Sequence, residues 1–188
     1  MRASSLARVL VAAALALALV APAQAELRIS ELEVFLNDYE VTVHLVLLGA
    51  LPAGVHEGVQ SGIPAHVRFT VELWHYNRYW PDELLTTKTV ERTLAYNVVT
   101  KEFKVTAVHG ETRPVYATRE LRDAQRVLSE VRGLKMTPAT ALDPSAVIYV
   151  RVNAASALNG ENTFLTRLGG TAEQTSRQSD YRTIQRVQ

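Results

Sequence analysis

The stretch Val41-Thr42-Val43-His44-Leu45-Val46-Leu47-Leu48 decides the fold. Val41, Val43, Leu45 and Leu47 fall on one face of a strand, and Thr42, His44, Val46 and Leu48 on the other, because successive strand side chains point to opposite faces. The rhythm returns at Val67, Phe69, Val71 and Leu73, opposed by His66, Arg68, Thr70 and Glu72. Weaker cases are Val90, Leu94 and Tyr96 against Glu91, Thr93 and Ala95, then Phe103, Val105 and Ala107 against Lys104 and Thr106. Ile148, Val150 and Val152 against Tyr149 and Arg151 give the last clear strand. Upstream, Leu27 and Ile29 change phase to Leu32, Val34 and Leu36, a slip that a β-bulge near Ser30-Glu31 absorbs. Phe69, Val71 and Leu45 are expected inward on adjacent central strands.

The connections fit this pattern. Asn37-Asp38 suits a tight hairpin turn, and Asn97 to Thr100 a four-residue hairpin loop. A short helix is expected from Pro52 to Ser61, with Val55 and Val59 inward and Gly62 as its stop. A second runs from a Thr118 cap through Leu121, Ala124, Leu128 and Val131 to Gly133. Pro138 and Pro144 bound a loop before the last strand. The fold expected is mainly β: an antiparallel β-sandwich or strongly curved sheet of six to seven strands with two short helices. The alternative is an α+β arrangement, one antiparallel sheet with both helices on one face. From Gly169 the composition turns to Gly, Thr, Ser, Gln and Arg, and residues 169–188 read as a disordered polar tail.

At the other terminus, Arg2 and Arg8 flank a polar start, Val9 to Ala21 is an apolar run, and Ala23-Gln24-Ala25 is a small-x-small site. That is the layout of a secretory signal peptide, cleaved after Ala25, with Ala23 and Ala25 forming the cleavage site. Residues 1–25 are then the signal and 26–168 a single mostly β domain. The apolar run falls short of the ~20 residues that span a bilayer. The whole chain has 20 basic and 19 acidic residues. Without Arg2 and Arg8 the balance is 18 to 19, a formal charge of −1. No basic run suggests nucleic acid. With 0 cysteines, thiolate metal sites, disulfides and a cysteine nucleophile are excluded.

The middle of the chain carries a resemblance. Gly49-Ala50-Leu51-Pro52-Ala53, Glu57, Ser61-Gly62-Ile63-Pro64 and Val71-Glu72-Leu73 resemble the DUF4390 family of bacterial exported proteins. The run from Arg92 through Tyr96-Asn97 and Thr100 to Phe103 looks like that family's hairpin, with Asn97 for an expected Asp and Phe103 for an expected Tyr. The resemblance covers roughly Leu27 to Val152. It implies an exported bacterial protein and supplies no catalytic residues.

Enzyme signatures are missing: no H-E-x-x-H, G-x-S-x-G, S-x-x-K, P-loop or G-x-G-x-x-G is present. The five histidines, His44, His56, His66, His75 and His109, lack the local spacing of metal ligands. His44 and His66 would converge only if the second and third strands pair. Glu31 with Glu33, and Glu72 with Arg68, read as the polar face of a half-exposed sheet. No cofactor is implied.

One segment stands out, Trp74-His75-Tyr76-Asn77-Arg78-Tyr79-Trp80-Pro81-Asp82. Trp and Tyr join a large apolar body to a polar tip, which suits interfaces and sugar faces. Trp74, Tyr76, Arg78, Tyr79 and Trp80 are the candidate binding residues, with Arg78 able to add a cation–π contact. The plainer reading is cross-strand aromatic packing, with Pro81-Asp82 making the turn. Strand parity sets Trp74 and Tyr76 opposite Val71 and Leu73. The function expected is a non-catalytic binding or accessory module, periplasmic or secreted, for an envelope protein or glycan. An envelope hydrolase, or a structural protein held at the membrane by an uncleaved signal, is the alternative.

Overall fold

The computed structural model describes residues 26–36, 39–51, 53–159 and 172–183. The expected signal segment, with Ala23 and Ala25, and the expected Asn37-Asp38 turn lie outside these residues. Among the described residues the protein is mainly β, with 60% of them in strands, two antiparallel sheets and two helices. The small sheet has the order β1 (Arg28–Leu36), β2 (Glu40–Leu48), β7 (Glu130–Pro138). In the large sheet β3 (Ala65–His75) lies between β4 (Glu83–Asn97) and β8 (Val147–Leu158). Beyond β4 come β5 (Glu102–His109) and β6 (Tyr116–Thr118), and beyond β8 come β9 (Ala172–Gln178) and β10 (Arg182–Thr183).

The alternating residues do what their pattern implies. Val41, Val43, Leu45 and Leu47 join Val67, Phe69, Val71, Leu73, Val150 and Val152 in one core between the sheets. The phase slip in β1 is a bulge, with the register shifting between Ile29 and Glu31. The Arg177 guanidinium donates to the Ile29 and Ser30 carbonyls there, at 2.8 and 2.5 Å. Helix α1 (Ala53–Gln60) inserts Val55 and Val59 into the core, and Gly62, at φ +91°, takes the left-handed turn that ends it. At the Asn97 loop, the side-chain oxygen accepts the Val99 and Thr100 N–H groups, at 2.9 and 3.1 Å.

Three expectations change. First, β2 and β3 do not pair; they belong to different sheets, so Leu45 reaches the core from the sheet opposite Phe69 and Val71. Second, helix α2 covers only Leu121–Ser129 and passes without a loop into β7. Thr118 accepts the Glu120 N–H at 3.1 Å, one step outside the helix. Gly133, at φ +63°, lies within β7, where the register against β2 is irregular, and breaks the alternation that would have marked a strand. Third, the polar tail is not wholly without structure. Ala172–Gln178 pairs along Arg151–Ala157 of β8, and an edge strand that is held by backbone hydrogen bonds needs little apolar composition.

Candidate functional site: the aromatic end of the sandwich

The aromatic segment divides in two. Its first half is anchored to the outer face of the large sheet. Trp74 is the cross-strand partner of Tyr149, and their rings are nearly parallel, 6.4 Å apart at 6°. The Trp74 indole donates to Glu72 at 2.9 Å, and the Arg151 guanidinium stands 5.0 Å from its ring. Tyr181, next to β10, leans on Tyr149 at 5.3 Å and on Tyr76 at 5.0 Å. Under this cover Tyr149 is only 2% exposed although it is on the outer face.

The second half is a fixed loop with an open tip. The Asp82 carboxylate accepts the Asn77 N–H at 3.1 Å and the Tyr149 hydroxyl at 2.8 Å. The Tyr76 N–H donates to the Val147 carbonyl at 2.8 Å. The backbone bond from Asn77, then the Tyr149 hydroxyl, hold the Asp82 carboxyl below the usual carboxylate range. Burial, then the bond to Asp82, push the Tyr149 phenol up to about 12. The base of the loop is therefore tied to β8. At its tip Tyr79 is 82% and Trp80 80% exposed, with the Arg78 guanidinium 5.5 Å from the Tyr79 ring.

Other rings gather nearby. The β1–β2 connection ends at Tyr39, 80% exposed, whose carbonyl accepts the Ala139 N–H at 2.8 Å. From Ala139 the chain crosses to the start of β8, where Ile148 pairs with both His75 and Arg182. Tyr39, the 76–82 loop and Tyr181 thus share one end of the sandwich. Among the described residues the exposed Tyr and Trp side chains are at this end, with the exposed Leu84 beside them opposite Trp74, and Leu48, Ile63, Val98 and Val99 are at the other. Sequence reasoning found the 74–80 segment but missed Tyr39, Tyr149 and Tyr181. Tyr149 read only as a position on the face opposite Ile148 and Val150, and Tyr181 fell in the tail.

The remaining candidates resolve into local pairings. His66 bonds Thr93 at 3.2 Å, and His44 packs against Phe35 with ring centroids 4.7 Å apart, so the two histidines are on different sheets. Among the described residues no group of three or more His, Asp or Glu side chains could hold a metal ion. Arg68 pairs with Glu91 at 3.0 Å and not with Glu72. Two adjoining cavities, of about 560 and 190 Å³, lie over the small sheet, bordered by Glu31, Val46, Glu130 and Arg132. Arg92 is fully buried; it grips Glu111 through two hydrogen bonds and donates to the Val127 and Glu130 carbonyls, at 2.6 and 2.7 Å, where α2 ends. Burial works to raise the Glu111 pKa, but the hydrogen bond and charge of Arg92, with Arg113, leave it lowered.

No curated protein and no solved structure matches the chain significantly. The family model for a domain of unknown function, DUF4390, matches residues 24–159, from the start of the described sandwich to the end of β8 but short of β9. Most of the chain lies within that match, and the protein belongs to the DUF4390 family.

Proposed function

We propose that this protein is an exported, non-catalytic binding module whose recognition element is the loop carrying Arg78, Tyr79 and Trp80. The observation that carries the reading is the contrast within the loop: a base tied by Asp82 and a tip with two large rings in solvent. Large exposed apolar groups on a soluble protein usually serve an interaction. Ordering the loop in advance also lowers the entropy cost of binding. Export is supported by the basic, apolar and Ala-x-Ala sequence of the first 25 residues.

The test is a Tyr79→Ala/Trp80→Ala double variant of the mature chain. Its stability should stay within about 0.5 kcal/mol of the parent, as for exposed positions. Its retention by solubilised envelope proteins or by isolated cell-wall glycan should be lost. Unchanged retention on both would overturn the reading. A second reading, an envelope hydrolase, draws on the smaller cavity, where Glu31, Glu33 and His44 meet; His44→Ala would abolish any such activity.

A further inference from the structure

We propose that the outer edge of β4, residues 83–88, takes up an extended segment of another protein as an added strand, antiparallel to β4 and with an acidic residue opposite Lys88. The proposal goes beyond the loop reading above and concerns a different surface, which begins where that loop ends.

β3 pairs with β4 from Glu83 to Leu94, but β5 pairs with it only from Glu91 to Asn97. Among the described residues no strand therefore lies on the other edge of β4 between Glu83 and Lys88. The stretch reads Glu83-Leu84-Leu85-Thr86-Thr87-Lys88, with Leu84 46% exposed and Thr87 and Lys88 exposed. The backbone groups of such an edge are a template for a further strand. Both ends of the stretch are closed. Before Glu83 stands the 76–82 loop, tied by Asp82. After Lys88, Gly110 sits so tightly on the Thr89 carbonyl that a Cβ would come within 1.7 Å of its oxygen. At roughly 3.3 Å per residue the notch is on the order of 20 Å long.

That shape selects an extended segment over a second copy of the chain. The register that matches charge in a two-fold pairing sets Glu83 opposite the second copy's Lys88. It also sets Asp82 opposite the second copy's Thr89, in the place that the copy's Gly110 occupies. Moving the register shortens the pairing or deepens the overlap. A segment without such flanks enters freely.

Lys88 states the chemistry of that segment. It shares a face with Val71, its partner on β3, and has no carboxylate partner among the described residues. An inward-pointing lysine discourages indiscriminate edge pairing, yet suits a strand that brings a carboxylate opposite it. Glu83, at the far end, repels a carboxylate there. The spacing follows from β3, which goes from Val71, opposite Lys88, to Trp74, opposite Leu84, in three steps because β4 bulges between them. A strand on the other edge, antiparallel like both neighbours of β4, reads Asp or Glu, then two residues, then an apolar side chain against Leu84.

The test is panning of a displayed library of random linear peptides on the full chain and on its Lys88→Glu variant. From the parent we expect peptides with Asp or Glu three residues before an apolar residue, and from the variant Lys or Arg in the acidic place. A peptide selected on the parent should bind Lys88→Glu at least about tenfold more weakly. It should slow hydrogen exchange within residues 83–88 and bind Tyr79→Ala/Trp80→Ala as before. An unchanged urea midpoint for Lys88→Glu, whose site is exposed, shows that the fold is intact. No enrichment, no preference for an acid, or protection of another strand would overturn the proposal. Peptides indifferent to Lys88 but lost with Tyr79 and Trp80 would overturn it and leave the loop reading standing. A chain that dimerises in sedimentation, and no longer does so as Lys88→Glu, would make the occupant a second copy and overturn it as well.

Discussion

Arg92 is the residue on which two secondary elements depend. Its guanidinium satisfies carbonyls at the end of α2, where a helix leaves acceptors without partners, and closes on Glu111. Removing one partner of a buried, charged hydrogen-bonded group leaves the rest uncompensated, so Arg92→Ala should cost about 3–5 kcal/mol by urea denaturation. Because the Glu111 pKa is lowered, its contribution is present above the ordinary Glu value and is lost as pH falls through the lower, folded one. Glu111→Gln should therefore reduce the acid loss of stability below about pH 4.5. Tyr149 has the opposite sign: raised from 10 to about 12, it favours folding below pH 10 and loses that effect as pH climbs towards 12. Tyr149→Phe should remove the last component of an alkaline tyrosinate titration, and most of the stability loss over that window. In the core, Phe69→Ala should cost about 3–5 kcal/mol and Thr70→Ala far less, since only the first is fully buried.

The elements show where sequence reasoning reaches and where it stops. The bulge at Ser30, the α1 stop at Gly62 and the strands β2, β3 and β5 were legible because side-chain period and turn chemistry are local signals. Strand β7 was read as helix end and loop because Gly133 shifts its phase midway. Gly133→Ala should destabilise the sheet by about 1 kcal/mol, the left-handed backbone being costly with a Cβ. Strand β9 was missed because its only buried side chain is Ala172; backbone pairing leaves no trace in composition. Deleting residues 172–188 should therefore speed hydrogen exchange at the β8 amides that face β9, while exchange at those facing β3 stays slow. For the candidate site, the 74–80 segment was visible as a local cluster. Its buried base was not, since the Tyr149 and Tyr181 contacts to it are set by strand order.

Across the whole molecule, the central strand of the large sheet has one near neighbour and one distant one. β3 meets β4 through a short loop, but its other edge waits for β8, from His75 against Ile148 to Ala65 against Leu158. Until the chain from β4 to β8 is available, that edge presents open backbone groups and half of an unfilled core. Such long-range closure makes folding slow, on the order of milliseconds to seconds for β-rich domains. It also sets the hazard: a chain arrested before Val147 carries a bare apolar strand able to pair with its copies. A fragment ending at Ser145 should aggregate, whereas the full chain, refolding from urea, should recover in a single slow phase whose completion coincides with protection of the β8 amides.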